Sequence, residues 1–310
     1  MKNNLLIYLV LAFSIASCET VVDIDVPIEP PKLVVSGTFD SFGNWHFSVT
    51  KSMHILDVAE PKVYDSAVIS VFQGGSNWFT VPPVGMGKYF YYSGAVDMGK
   101  EFSVTVEVPK LEMAMAFCEL PKPPETISLS YDSTIKAVVN NGHYMEDVNS
   151  IEIVFDNDIS VSDYYMLSLQ GFGFPPYYYR DPNNPNPPPP PDSTWNELHI
   201  NTDDPIATDG ESDGTYRYMS RLIFSDELIN GKQYTLRMGT DQWHLENAGK
   251  IRVLFSSISK DGYLFLKTLK EQRVAGNDPF SEPVNVHSNI ENGYGIFYGI
   301  ATDTLEIRIR

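Results

Sequence analysis

The residue with the most specific chemistry is Cys18, which ends the tetrapeptide Ile-Ala-Ser-Cys behind a short apolar run. An aliphatic residue, two small residues and a cysteine form the bacterial lipobox, in which a diacylglycerol is attached to the cysteine thiol. The apolar run, residues 5–13, is too short to span a bilayer, which needs about 20 residues. We therefore predict a signal peptide over residues 1–17 and lipidation of Cys18. The alternative is an ordinary secretory cleavage site.

Residues 18–31 are expected to form a lipidated tether. Their acidic residues Glu19, Asp23 and Asp25 alternate with apolar ones. This loosely resembles the segment by which some Gram-negative lineages send lipoproteins to the outer face of the outer membrane; a solvated tether is the equal alternative. We expect a protein anchored in outer-membrane lipid through acylated Cys18, on the periplasmic or the cell-surface side.

Three consecutive tyrosines, Tyr177, Tyr178 and Tyr179, lie in a stretch that ends in five prolines. No sheet interior accommodates such a run, so residues 172–191 should form an exposed loop with polyproline II character. Tyrosines offer rigid, amphipathic contact area, which makes these three candidate ligand-binding residues. A disordered insertion is the alternative.

Signatures of catalysis are scarce in this sequence. The six histidines are scattered singly, and there is no nucleophile elbow, phosphate-binding loop or dinucleotide-binding glycine motif. Asp156-Asn157-Asp158 begins like a calcium loop, but Val161 stands where that loop needs glycine. Asp203, Asp209 and Glu211 lie in an acidic stretch whose carboxylates could hold calcium or act in an unrecognised hydrolase. We disfavour both alternatives. We expect a non-enzymatic protein without a metal or cofactor.

Four hydroxyl residues follow an aspartate and precede a small or aliphatic residue. This pattern resembles the acceptor of a periplasmic O-glycosylation system; the alternative is short Asp-Ser turns, in which both side chains bond to nearby backbone. The best acceptor should be exposed behind the prolines, and the poorest should lie in a paired strand. In that order of accessibility, the candidates are Ser193, Ser133, Ser66 and Thr304.

The composition describes an acidic chain that can bury large cores. Its 310 residues are 43% hydrophobic, enough for about two domains. With 22 basic against 40 acidic residues, the net charge of −18 argues against a nucleic acid partner. Two cysteines cannot make a disulfide framework or a cysteine-rich zinc site.

From Lys32 onward the hydrophobic pattern is that of strands. Short alternating runs separated by turn residues predict an immunoglobulin-like β-sandwich over residues 32–120, followed by a stiff proline-rich linker over residues 121–125. Residues 126–310 should form a second β-rich domain with one short helix, which begins after Ser259 and ends at Gly276. The expected fold class is therefore mainly β.

The most specific motif lies between Asn277 and Gly299. It resembles the sequence D-P-F-x-E-P-V-x-V-x-S-N-I-x-N-G-x-G-I-F of an uncharacterised envelope lipoprotein family, domain of unknown function 4249. The lipobox, the run Lys32 to Gly37 and Asp163-Tyr164-Tyr165 also agree with this family, whereas Tyr298 departs from its usual Gly-Gly. We expect Gly293 to occupy a turn with a positive φ.

The resemblance implies an outer-membrane lipoprotein with a carboxypeptidase-regulatory-like sandwich at its N-terminus, often encoded beside a TonB-dependent transporter. It implies no activity and no catalytic residues. We therefore expect a non-enzymatic accessory or ligand-capturing partner of such a transporter. The alternative is a structural or adhesive cell-surface protein.

Overall fold

A computed structural model gives the fold of the chain. All of its named strands belong to one compact unit, Pro31–Met53 with Val58–Arg310; most of the other unit, Met1–Pro30 with His54–Asp57, lies outside the residues described. The structure describes residues 30–54, 57–140, 144–158, 163–173, 192–202, 204–208, 221–229, 231–241, 245, 248–276 and 281–309.

One long sheet dominates the described part of the chain. Its nine strands are β1 (Leu33–Asp40), β2 (Asn44–Lys51), β5 (Pro83–Gly85), β6 (Lys88–Tyr92), β11 (Tyr164–Gly173), β12 (Thr194–Leu198), β13 (Leu222–Ser225), β15 (Ala248–Ile258) and β16 (Gly293–Arg308). Their spatial order is β12-β11-β15-β16-β1-β2-β6-β5, and β13 also pairs with β11.

Two smaller sheets complete the described strands. One has the order β4-β3-β7-β8 and the other β14-β10-β9. Their bounds are β3 (Val68–Gln73), β4 (Ser76–Val81), β7 (Glu101–Glu107), β8 (Ala114–Glu119), β9 (Glu125–Asn140), β10 (Tyr144–Asp156) and β14 (Tyr234–Asp241). A 3-10 helix spans Pro205–Thr208.

Two hydrophobic cores hold the sheets together. The first contains Phe39 and Trp45 of the long sheet, whose rings stack at 4.4 Å, with residues of β3, β7 and β8. The second joins β10 and β14 to β11, β13 and β15 around Phe155 and Phe255. Strand alternation explains both, because every second residue of β1 and β11 is buried.

Strand β16 links the two halves of the chain. It pairs in parallel with β1 and antiparallel with β15, and its Ile296 and Phe297 are fully buried in the first core. The long sheet therefore contains strands from both of the expected domains, residues 32–120 and 126–310, and the division between these domains stays a prediction. The mainly β class is confirmed; the immunoglobulin-like topology of the first half stays a prediction.

Helix α1 (Lys260–Ala275) follows the capping pattern of the sequence. The Oγ of Ser259 accepts a hydrogen bond from the backbone N–H of Gly262 at 3.3 Å, and Gly276 forms the C-cap. The helix packs on β16. Among the described residues, no helix combines the length and apolarity that crossing a membrane requires.

The turn before β16 corrects one expectation. Asn292, and not Gly293, has the positive φ, 59°. Gly293 is needed for another reason: a Cβ there would lie 2.8 Å from the carbonyl oxygen of Leu33 and 2.9 Å from the Cγ2 of Ile290. The close approach of two strands therefore demands glycine at this position.

Candidate functional site

A cleft of about 770 Å³ is lined by residues from both halves of the described chain. Its lining comes mainly from the end of β8 and the linker after it, the end of β10, the start of β11, and the turn between β15 and α1. Strand ends and connections are the usual positions of binding residues, because they escape the pairing constraints of the sheet. This cleft is the candidate functional site.

The lining of the cleft is strongly acidic. It carries six carboxyl groups against two amino groups, those of Lys122 and Lys260. The carboxyl of Asp261 faces a histidine, since its Oδ1 lies 2.7 Å from Nε2 of His287. The six carboxyl groups are those of Glu119, Glu125, Asp156, Asp158, Asp163 and Asp261. A concave site with this charge attracts cations and repels anions.

Asp163 belongs to a polar network at one end of the cleft. Its Oδ2 accepts a hydrogen bond from the hydroxyl of Tyr165 at 3.4 Å. The Nδ2 of Asn157 donates to that hydroxyl at 3.0 Å and to Oδ2 of Asp226, only 1% exposed, at 3.3 Å. Burial, followed by the charges of Asp226 and Asp158, raises the pKa of Asp163.

Ser257 places an unused hydroxyl in the cleft lining. The residue is 3% exposed and stands opposite Tyr165 in the pairing of β15 with β11. Side chains directly opposite in a sheet share a face, and both residues line the cleft. Among the described residues, the Ser257 hydroxyl has no hydrogen-bond partner. Because Ser257 lines the cleft, this hydroxyl is available to a ligand.

Cys118 lies at the end of β8, where it also lines the cleft. Its Sγ accepts a hydrogen bond from the backbone N–H of Gly299 at 3.2 Å and donates to the carbonyl oxygen of Glu119 at 3.3 Å. Burial is the main cause that raises the pKa of the thiol to about 11. The thiol is therefore protonated at neutral pH and is a poor nucleophile.

The described residues contain no group of three or more His, Cys, Asp or Glu side chains that could hold a metal ion. The carboxyl groups of the cleft are thus spread along its lining. A hard cation such as Ca²⁺ needs six to eight oxygen ligands around one point.

Residues 19–306 match the sequence profile of a family described as domain of unknown function DUF4249. The chain belongs to this family. The DUF4249 chain matches no protein in a search of functionally curated proteins.

Solved structures resemble the DUF4249 chain only weakly. Trypsin-activated alpha-2-macroglobulin from Escherichia coli is 9% identical with a TM-score of 0.23, over 74% of this chain and 14% of its own. A protein described as membrane anchored, from Corynebacterium diphtheriae, is 8% identical with a TM-score of 0.21, over 86% and 59%. The BSP domain of a biofilm-associated protein is 8% identical with a TM-score of 0.17, over 93% and 62%. The chain therefore spans less than two thirds of each of these structures.

The C-terminal motif of this DUF4249 chain has a structural task. Strand β15 pairs with β16 only from Ile300 onward, so the backbone of Phe297 lacks a neighbour on that side. The side chain of Asn289 takes the place of the missing strand. Its Oδ1 accepts from the N–H of Phe297 at 2.9 Å, and its Nδ2 donates to the carbonyl oxygen of the same residue at 2.8 Å.

None of the sequence-predicted site residues that the structure describes lines the cleft. Cys18 and Tyr177, Tyr178 and Tyr179 lie outside the described residues. Ser66 and Ser193 are exposed outside strands, whereas Thr304 is exposed within β16, opposite Leu254. Ser133 lies in β9, and its side chain is outside the described part. O-glycosylation of these four stays a prediction, which the intact mass of envelope-purified protein tests.

Sequence reasoning noticed parts of the cleft without assigning them to a site. In the sequence, Asp156-Asn157-Asp158 resembles the start of a calcium loop, and Asp163-Tyr164-Tyr165 resembles the family feature that opens a strand. Their meeting with Cys118 and Ser257 depends on strand pairing across the chain. The available signal was the concentration of acidic residues at the ends of two predicted strands.

Proposed function

We propose that this DUF4249 chain is a non-enzymatic lipoprotein of the outer membrane that captures a ligand in its acidic cleft as an accessory of a TonB-dependent transporter. The observation that carries the proposal is the cleft itself, which combines about 770 Å³ of volume with charged and aromatic lining. Binding sites for small molecules have such volumes and such mixed lining. The transporter is the partner that the family resemblance implies.

The nucleophilic side chains around the cleft are not activated for catalysis. This agrees with a protein that binds its ligand without transforming it. The thiol of Cys118 is protonated at neutral pH because burial raises its pKa to about 11. The hydroxyl of Ser259 accepts a hydrogen bond as the cap of α1. An activated nucleophile would need an adjacent general base, and no histidine is among the described residues that line the cleft.

Fractionation tests the anchor. Cys18→Ser should release the protein from membranes, because acyl chains supply about 0.8 kcal/mol of anchoring free energy for each buried CH₂ group. Cys118→Ser is the matched control, since it removes the other cysteine of the chain and should leave the protein in the membrane fraction. If the Cys18→Ser protein also stays in the membrane fraction, the lipoprotein part of the proposal is wrong.

Co-purification tests the partner. Wild-type protein, extracted from outer membranes with several mild detergents, should bring a barrel transporter with it. The Cys118→Ser variant should do the same. Repeated recovery of the protein alone would contradict the transporter part, and would favour a structural or adhesive surface protein.

A further inference from the structure

Two independent features of the cleft restrict the kind of ligand that it can bind. One is an excess of negative charge, six carboxyl groups against the amino groups of Lys122 and Lys260. The other is the hydroxyl of Ser257, which is buried to 97%, lines the cleft and has no partner among the described residues. The ligand should therefore carry positive charge and groups able to form hydrogen bonds.

We propose that the cleft binds an organic cation, a molecule with one or more protonated amino groups, held by carboxylates of Asp163 and its neighbours and by the hydroxyl of Ser257. This inference rests on the proposed function of the cleft as the ligand site, and adds the chemical class of the ligand. An ammonium group suits both features, because it has three N–H donors for carboxylate and hydroxyl oxygens.

Repulsion among carboxyl groups favours a cation at one end of the cleft. Asp158 follows β10, Asp163 precedes β11 and Asp226 follows β13. After burial, the charges of Asp226 and Asp158 raise the pKa of Asp163. A cation near Asp163 relieves this repulsion and favours its ionised form. Carboxyl groups that repel one another destabilise a fold, and where they lie beside a cleft they often belong to a binding site.

The geometry favours an organic cation over a metal ion. The described residues contain no cluster of three or more His, Cys, Asp or Glu side chains that could hold a metal. A cleft of about 770 Å³ is far larger than one ion requires. Tyr164 is also a lining residue, and aromatic side chains attract ammonium groups.

The test compares two probes of the same length by isothermal titration calorimetry on full-length acylated protein in detergent. The diamine 1,5-diaminopentane should bind, whereas 1,5-pentanediol, which has hydroxyl groups instead of ammonium groups, should bind at least tenfold more weakly. Affinity for the diamine should fall as NaCl rises from 50 to 500 mM, because salt screens the attraction. Equal binding of both probes, or no diamine binding at millimolar concentration, would overturn the inference.

Variants locate the binding. Asp163→Asn should weaken diamine binding about tenfold, and Ser257→Ala several-fold. Glu119→Gln, at an exposed lining position, provides a second carboxylate variant if Asp163→Asn fails to fold. Glu107→Gln is the matched control, because Glu107 is exposed on β7 and does not line the cleft. Unchanged affinity in all three cleft variants would overturn the inference.

The experiments distinguish a failure of the ligand-class proposal from a failure of the transporter proposal. Loss of diamine binding with continued recovery of a barrel partner would overturn only the ligand class. Specific diamine binding by a protein that never brings a barrel from the membrane would overturn only the transporter.

Discussion

Gly295 of β16 lies directly against Val35 of β1 in the parallel pair that joins the two ends of the described chain. Its φ is +111°, and a Cβ built there would overlap the carbonyl oxygen of Val35. Both the backbone conformation and the space therefore require glycine. The strand pair that unites the long sheet depends on the absence of one methyl group.

Gly295→Ala should destabilise the protein by about 3 kcal/mol or more, because the substitution adds a backbone clash to an unfavourable φ. Gly249→Ala in β15 is the matched control, since Gly249 has no positive φ and no atom within 4 Å of a built Cβ. Urea unfolding measures both. Equal unfolding midpoints for the two variants would contradict the close packing of β1 and β16.

Asn289→Asp should destabilise the protein by about 1–3 kcal/mol. The carboxylate cannot donate to the carbonyl oxygen of Phe297, a residue that is fully buried, and a buried acceptor without a partner is costly. Asn196→Asp is the control, because the amide of Asn196 also donates to backbone carbonyls, those of Gly173 and Thr194, but at a more accessible site. A change below about 0.5 kcal/mol is expected there. Equal losses of stability in urea unfolding would show that the hydrogen bonds between Asn289 and Phe297 contribute no more than those of Asn196.

Asp163→Asn should raise the melting temperature of the protein at pH 7. Because the pKa of Asp163 is raised above 3.8 in the folded protein, the fold prefers the protonated carboxyl. That preference stabilises the protein fully below pH 3.8 and is lost as the pH rises through the folded pKa. Asparagine resembles the protonated form.

The same substitution should leave the melting temperature unchanged near pH 2, well below the ordinary pKa of 3.8, where the carboxyl is protonated in both the folded and the unfolded state. Glu107→Gln should have no effect at either pH, because this side chain is exposed. A lower melting temperature for Asp163→Asn at pH 7 would mean that the carboxylate stabilises the fold, contrary to its raised pKa.

Cys118 should resist alkylation in the folded protein. In the Cys18→Ser variant it is the remaining cysteine, so thiol modification by iodoacetamide at pH 8 reports on Cys118 alone. A pKa raised from 9.0 to about 11 lowers the thiolate fraction about 100-fold. Reaction should therefore be at least about 100-fold slower in buffer than in 8 M urea. Comparable rates would contradict the burial of this thiol.

The sequence by itself determined the mainly β class and the position of helix α1. Alternating apolar residues mark strands such as β1 and β2 because a half-buried strand has a period of two. The hydroxyl of Ser259 caps the start of α1, and Gly276, a poor helix former, follows its last residue. These features depend on contacts between near neighbours, so local patterns encode them.

Only the tertiary structure decided which strands pair and what their ends bring together. The parallel pairing of β16 with β1 leaves no local signal, because its gain is the burial of Phe297 against Phe39, residues far apart in the chain. The cleft has the same origin, since Asp163 and Ser257 become neighbours only when β11 pairs with β15. Long-range pairing is selected by the apolar area buried in the whole fold, which the pattern of any single segment does not contain.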